Sequence, residues 1–210
     1  MRIVTAADSN FFDHLIRQVR ACREHLAIFP DVYDLGMTIN QRYILECMAV
    51  ALCGETYQLE AGMNYPNGYK PRGLHKPYML TEYCDWHPDE DVLYLDADAM
   101  PVAPFEFPCV GIGLTKVSQK KMEAYEGKPI YEYVGPYHSG AIFLGKGEGR
   151  DGFVEKWRMD MANDPLPSDK KSLNRIAKQE QITELDPAEW NAQIVLPHTK
   201  IFHAQGLKAR

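Results

Sequence analysis

Long apolar runs and closely spaced cysteine pairs are both missing from this 210-residue chain. The longest apolar run, CMAVALC at 47–53, is far shorter than the roughly 20 residues of a membrane-spanning helix. The opening residues, MRIVTAADSN, contain no apolar stretch of signal-peptide length. The five cysteines include no CxxC pair, so neither a disulfide framework nor a zinc cage is indicated. We therefore expect a cytoplasmic protein with no membrane span and with reduced cysteines.

The sequence also has no excess of positive charge. It contains 23 Lys and Arg against 29 Asp and Glu, a formal net charge of -6. This balance argues against nucleic acid or an anionic membrane as the main partner. An anionic ligand would therefore need a local basic site or a bound metal ion.

The order of apolar segments predicts the fold class. No repeat, low-complexity tract or linker divides the sequence, and its length fits a single domain over 1–210. Strand-like runs alternate with helical periodicities, which predicts an α/β fold with a mainly parallel, doubly wound sheet flanked by helices. The predicted strands cover 2–7, 32–37, 56–61, 92–95, 110–115 and 140–145. The predicted helices cover 11–26, 39–52, 77–86, 152–162 and 170–179.

Two carboxylates stand at the end of one predicted strand, in DVLYLDADAM at 91–100. Asp96 and Asp98 are two positions apart, so their side chains point to the same side of an extended chain. Carboxylates this close repel unless a cation lies between them, and such oxygen ligands suit Mg²⁺ or Mn²⁺. The pair therefore indicates a divalent metal site. The alternative is a solvated strand end, where Asp is common because it bonds the local backbone.

The wider sequence resembles a known family. VLYLDADAMPVAP, preceded by HKPYML, resembles the core of nucleotide-sugar glycosyltransferases of the GT-A fold, in particular the retaining family of glycogenin and the bacterial lipopolysaccharide galactosyltransferases. Other segments match in the family's order: TAADSNFF (5–12), YHSGAIFL (137–144), DKKSLN (169–174), EWNA (189–192) and HAQGLK (203–208). The resemblance implies a metal-dependent enzyme that moves a sugar from a UDP-sugar, with retention. The acceptor would be a glycan, a protein or a lipid-linked sugar.

The resemblance implies a set of residues around the donor diphosphate. The implied ligands of Mn²⁺ or Mg²⁺ are Asp96, Asp98 and His203, and Asp96 would also contact the donor. The implied phosphate contacts are Lys76, Gly206 and Lys208. Glycine lets a backbone approach phosphate closely, and lysine supplies positive charge. Without the family, a lone His or Lys is more often a hydrogen-bonded or solvated side chain.

The first strand and its loop supply the implied nucleotide contacts. The residues concerned are Thr5, Ala6, Asp8, Asn10 and Phe11. Asp and Asn side chains would bond the base or ribose, and the aromatic ring would stack on the base. The alternative, which can hold at the same time, is that Asp8 or Ser9 caps the next helix while Phe11 or Phe12 packs in the core. These residues would belong to a nucleotide-binding half at 1–100.

The second half, 101–210, is expected to bind the donor sugar and the acceptor. The implied catalytic residues are Asp169 and His138. The implied donor contacts are Ser139, Gly140 and Asn191. The alternatives are a bend entering a buried strand at 138–140 and a helix N-terminus at Asp169, where a carboxylate is favoured anyway.

Several residues depart from the family pattern. The family has Tyr at Phe11, Asn at His138 and Gln at Lys170. These departures keep open a protein of the same fold that binds a nucleotide or glycan without turnover. A haloacid-dehalogenase-like phosphatase also places its nucleophile in a DxD after a strand. That family opens with the motif, whereas here it lies in mid-chain with Met100 two residues after the second Asp.

Overall fold

The computed structural model describes residues 1–53, 74–117, 123, 135–164 and 167–204. The strands are β1 (Arg2–Ala7), β2 (Asp31–Asp34), β3 (Leu52–Cys53), β4 (Val92–Leu95), β5 (Ala99–Pro101), β6 (Ile112–Lys116), β7 (Tyr137–Leu144), β8 (Ile182–Leu185) and β9 (Ile201–His203). The helices are α1 (Phe12–Leu26), α2 (Ile39–Cys47), α3 (His75–Trp86), α4 (Glu148–Asn163), α5 (Asp169–Ala177) and α6 (Pro187–Trp190). Among these residues, no helix is long and apolar enough to cross a membrane.

The main sheet has seven strands in the order β3-β2-β1-β4-β7-β6-β8, and β5 pairs with β9 in a separate small sheet. All pairings in the main sheet are parallel except those of β7, which runs antiparallel to both β4 and β6. The prediction of a mainly parallel sheet is confirmed. Because β7 is reversed, its first residues lie at the edge where β1, β2 and β4 end. The backbone N–H of Asp96 accordingly donates to the carbonyl of Gly140, 2.8 Å away.

Both faces of the sheet are buried, as expected for strands with apolar residues in successive positions. All four residues of β4, VLYL, are buried. One face packs against α3, α4 and α5, and its core includes Leu80, Tyr83, Phe153, Trp157 and Leu173. The other face packs in part against α1, whose residues Leu15, Val19 and Cys22 are fully buried. The helical spacing in the sequence therefore identified the buried stripe of α1.

Several predicted boundaries are wrong. The helix predicted for 152–162 begins at Glu148 and the strand predicted for 140–145 begins at Tyr137, whereas two other elements are shorter than predicted. The helix predicted for 39–52 ends at Cys47, because Ala49 adopts a left-handed φ of 58° and residues 52–53 form the edge strand β3. The strand predicted for 32–37 ends at Asp34, whose carboxylate accepts backbone N–H bonds from Gly36 and Met37 and so closes a turn. The strand predicted for 56–61 lies outside the described residues.

The end of α3 is held by a buried arginine of α4. Arg150 donates to the carbonyls of Cys84, His87, Pro88 and Glu90 at 3.2, 3.1, 3.3 and 2.7 Å. The last carbonyls of a helix have no partner within the helix, so a side chain that reaches them acts as a C-terminal cap. This cap fixes the turn that leads into β4 and therefore the position of the two aspartates after it.

We predict that Arg150→Met lowers the free energy of unfolding by roughly 3 kcal/mol, because it removes the donor to one buried and three partly buried carbonyls. Urea denaturation measures this change. Arg158→Met is the matched control in the same helix, since the Arg158 ion pair with Glu155 is partly exposed. Its expected cost is below about 1 kcal/mol. Equal costs for the two variants would contradict a capping role for Arg150.

Candidate metal and donor site

Asp96, Asp98 and His203 converge at the carboxyl edge of the main sheet. One potential ligand atom from each lies within 4.8 Å of the other two. Nε2 of His203 is 3.0 Å from Oδ1 of Asp98 and 3.9 Å from Oδ2 of Asp96. Two carboxylates and an imidazole nitrogen form a donor set that Mn²⁺ accepts readily and that Mg²⁺ also tolerates. The structure therefore brings together the three residues that the family resemblance implies as metal ligands.

The small sheet explains how His203 reaches a motif 105 residues earlier in the chain. β5 begins immediately after the aspartates, and its Ala99 pairs directly with His203 of β9. The backbone N–H of Ala204 donates to the carbonyl of Asp98 at 2.9 Å. Gln18 of α1 also donates to the carbonyls of Asp96 and Ala99 at 2.7 and 2.5 Å. The aspartate turn is thus fixed from two sides.

Two residues predicted to contact the donor lie against the His203 ring. Oδ1 of Asn191 is 2.7 Å from Nδ1 of His203, and both residues are buried. A Cβ atom added to Gly140 would lie only 2.2 Å from Cε1 of His203 and 3.2 Å from Oδ2 of Asp96. The lack of a side chain at Gly140 therefore makes room for the imidazole ring of His203. Asn191 contacts His203 in this structure. Its predicted contact with the donor stays a prediction.

A second cluster lies on the other side of Asp96. The Lys76 ammonium is 2.9 Å from Oδ1 of Asp96 and 3.1 Å from Oδ2 of Asp169. It also donates to the backbone carbonyl of Ser139 at 3.1 Å, and the Ser139 hydroxyl donates to Asp169 at 2.9 Å. In this structure Lys76 therefore balances two carboxylates at the junction of α3, β7 and α5. His138, the neighbour of Ser139, is also buried.

The two oxygens of the Asp96 carboxylate have different partners. Its Oδ1 is bonded by Lys76 and by the Tyr94 hydroxyl, the latter at 2.8 Å, whereas its Oδ2 faces His203. Burial alone would lower the pKa of Lys76, but the charges of Asp169 and Asp96 outweigh burial and raise it above its ordinary value. Lys76 is accordingly a permanent positive charge at neutral pH.

Asp98 is held in its charged form by its own neighbours. Burial raises the pKa of Asp98, but the hydrogen bond and charge of His203 outweigh that effect, so the net pKa is lowered. Both aspartates therefore have a basic partner before any cation binds.

The nucleotide-loop residues form a turn after β1. The Asp8 carboxylate accepts the backbone N–H groups of Asn10 and Phe11 at 2.9 and 3.1 Å, and the Asn10 side chain at 3.2 Å. Thr5 and Ala6 lie buried within β1, and the Thr5 hydroxyl has no hydrogen-bond partner among the described residues. Asp8 therefore closes the turn that precedes α1, whose N-cap is Phe11 with no side-chain cap. The predicted contacts of these residues with a nucleotide stay a prediction.

Sequence reasoning missed His75, which precedes Lys76 at the start of α3. Its Nε2 is buried and lacks a partner in the part of the chain that the structure describes. Burial, reinforced by the charge of Lys76, lowers the pKa of His75 to about 4, so the imidazole is neutral at neutral pH. A single His two residues before the helix predicted for 77–86 gave no indication of this burial. The predicted phosphate contacts Gly206 and Lys208 lie outside the described residues.

No protein-family model matches the chain, and a search of curated proteins gave no significant match. Solved structures do match along nearly its whole length. An active-site mutant of LgtC is 15% identical, with 99% of this chain and 88% of that chain covered and a TM-score of 0.63. The galactosyltransferase LgtC in complex with donor and acceptor sugar analogs is 17% identical, with 98% and 87% covered and a TM-score of 0.60. A glycosyltransferase involved in glycosylation of the major capsid of PBCV-1 is 10% identical, with 99% and 95% covered and a TM-score of 0.53.

These matches show that the chain has a GT-A-like glycosyltransferase fold. The fold expected from the family resemblance is confirmed.

We predict that Gly140→Ala lowers the free energy of unfolding by about 1 to 3 kcal/mol, because the new methyl group overlaps the His203 ring. Chemical denaturation in the absence of metal measures the change. Gly152→Ala is the matched control, since a Cβ at this exposed position of α4 meets nothing within 4 Å. That substitution should stabilise the protein by about 0.5 to 1 kcal/mol. A neutral or stabilising Gly140→Ala would show that the ring does not occupy this position.

Proposed function

We propose that the protein is a divalent-metal-dependent glycosyltransferase that moves a sugar from a nucleotide-diphosphate donor, specifically a UDP-sugar, to an acceptor. The acceptor is a glycan, a protein or a lipid-linked sugar. One observation carries the proposal: in a GT-A-like fold, the two aspartates after β4 meet His203 at the carboxyl edge of the sheet. In open α/β sheets this edge is where ligands bind.

The metal site follows from the donor set. Asp96, Asp98 and His203 would hold Mn²⁺ or Mg²⁺. When bound, the ion supplies positive charge that stabilises the diphosphate as the bond to the sugar breaks. Lys76 and Tyr94 hold one oxygen of Asp96 and leave the other directed at the site. The carboxylate therefore needs no rearrangement to act as a ligand.

The nucleotide half, 1–100, would hold the base and ribose. Asp8 and Asn10 form a turn before the half-buried Phe11, whose ring would stack on the base. Thr5 and Ala6, in the strand that leads to this turn, would complete the nucleotide contacts. Gln41 of α2 donates to the carbonyl of Ser9 at 3.1 Å and so supports the turn from the second side.

The other half, 101–210, would bind the donor sugar, and transfer would retain the anomeric configuration. Asp169 and His138 are the proposed catalytic residues, and Ser139 orients the Asp169 carboxylate through its hydroxyl. Lys76 offsets part of the negative charge of Asp96 and Asp169. The repulsion between these carboxylates and an incoming diphosphate would therefore be weaker. Gly206 and Lys208 are proposed to contact the same diphosphate.

We predict that UDP binds with Mn²⁺ and binds at least about tenfold more weakly without it, because the metal ligands are carboxylates that repel a bare diphosphate. Calorimetry of the wild type and of Asp98→Asn measures this, and the variant should lose the metal-dependent part. Asp89→Asn, at an exposed turn, is the control and should bind as the wild type does. Absence of UDP binding to the wild type in both conditions would contradict the proposal.

A UDP-sugar assay then separates the remaining functions. Release of UDP from a UDP-sugar, lost in Asp98→Asn, supports the transferase. Metal-dependent binding without any release of UDP would identify a binding protein that does not turn over its ligand. Release of phosphate from a simple phosphoester, in a protein that does not bind UDP, would identify the phosphatase.

A further inference from the structure

The imidazole of His203 is held on three sides. Asn191 contacts its Nδ1 at 2.7 Å, Gly140 leaves room for its Cε1, and its Nε2 faces Asp98 and Asp96. Only 4% of His203 and 5% of Asn191 is exposed, so water cannot replace Asn191 as the partner of Nδ1 without a structural change. The ring therefore has one nitrogen directed at the carboxylates and one directed at an amide.

An imidazole nitrogen can bind a cation only through its lone pair. When Nε2 binds a metal ion, the remaining proton of a neutral imidazole must lie on Nδ1. That N–H then needs an acceptor, because a buried donor without a partner is costly. The Asn191 side-chain oxygen is the atom at hydrogen-bonding distance from it.

The backbone holds Asn191 in this position. Asn191 follows α6, and its N–H donates to the carbonyl of Pro187 at 3.2 Å. The next residue, Ala192, donates to the carbonyl of Ile201 and accepts from the N–H of His203 at 3.0 and 2.8 Å. Two backbone hydrogen bonds of Ala192 thus join the segment after α6 to β9, the strand that carries His203.

An aromatic cluster anchors the same segment from the other side. Trp190, the residue before Asn191, packs edge-on against Phe105 and Phe143 with ring centroids 5.2 and 5.3 Å apart. The backbone of Asn191 is therefore fixed on both sides.

We propose that Asn191 is a positioning residue for the metal site. Its Oδ1 accepts the Nδ1 proton of His203, keeps that proton on Nδ1 and so presents Nε2 to the cation. This role rests on the proposed metal site and differs from the donor contact that the sequence predicts for Asn191. In the reverse orientation, the Asn191 amide would donate to Nδ1 and place the proton on Nε2, where it would block metal binding.

The hydrogen bond is tested without any metal. Nitrogen-15 NMR of histidine-labelled, metal-free protein, recorded at a pH where the His203 ring is neutral, reports which nitrogen keeps the remaining proton, and His203→Ala assigns the signal. We expect a protonated Nδ1 whose N–H is protected from exchange in the wild type and loses that protection in Asn191→Leu. An unprotonated Nδ1 in the wild type would overturn the proposal, whatever the protein binds.

Manganese affinity, followed by electron paramagnetic resonance, tests whether Asn191 acts through His203. Loss of an outer partner of a metal-binding His weakens metal binding by about 10- to 100-fold, and this is the expected effect of Asn191→Leu. Asn191→Asp keeps an acceptor oxygen and should restore most of the affinity. Asn163→Leu, at an exposed position of α4, is the control and should change nothing.

The decisive comparison repeats Asn191→Leu in a His203→Ala background. If Asn191 acts only through His203, the second substitution changes the remaining affinity by less than about twofold. An equal loss in both backgrounds would overturn the positioning role. A wild type that binds no Mn²⁺ would contradict the proposed function, and the NMR experiment would still decide whether Asn191 holds the Nδ1 proton.

Discussion

The pairing of β5 with β9 is the constraint on which the site depends. It sets Ala99 opposite His203 and so fixes an imidazole from the end of the chain against two aspartates from its middle. Backbone hydrogen bonds define the alignment of β5 with β9. The position of His203 beside Asp96 and Asp98 therefore does not depend on the charges of these side chains. Without the pairing, Asp96 and Asp98 would be two carboxylates at the end of a strand and nothing more.

The reversed strand β7 adds the second half of the site. Parallel strands bring only their carboxyl ends to the binding edge, whereas β7 brings its first residues there. Gly140 then leaves space for His203, and Ser139 reaches Asp169 and Lys76. One strand thereby joins the metal cluster to the cluster around Lys76. Since Asp96 belongs to both clusters, a ligand bound at one is expected to affect the other.

Charge balance explains how so many acidic groups lie together before a ligand binds. Lys76 is bonded to both Asp96 and Asp169, and His203 contacts Asp98. Each of these carboxylates therefore contacts a basic residue, which offsets part of the cost of removing it from water. The three carboxylates still outnumber Lys76, so a divalent cation would offset the remaining negative charge and allow a diphosphate to approach.

The sequence predicts the features that depend on local pattern. Alternating periodicities gave the α/β sheet, and the apolar run before Asp96 gave the position of β4. Features that depend on distant contacts were not predictable: β9 has only three residues, and the partner of Asn191 is known only once the two segments pair. The end of α2 was missed because MAVAL suits a helix as well as a strand. Lys76 was identified as a site residue, but its two carboxylate partners lie 20 and 93 positions away in sequence.

The most direct test of this account is a crystal structure of the protein soaked in Mn²⁺, with anomalous scattering recorded at the manganese edge. The account predicts one strong anomalous peak in contact with Asp96, Asp98 and Nε2 of His203. A peak elsewhere, or a metal held by the aspartates with His203 turned away, would contradict the claim that these three side chains form one cation site.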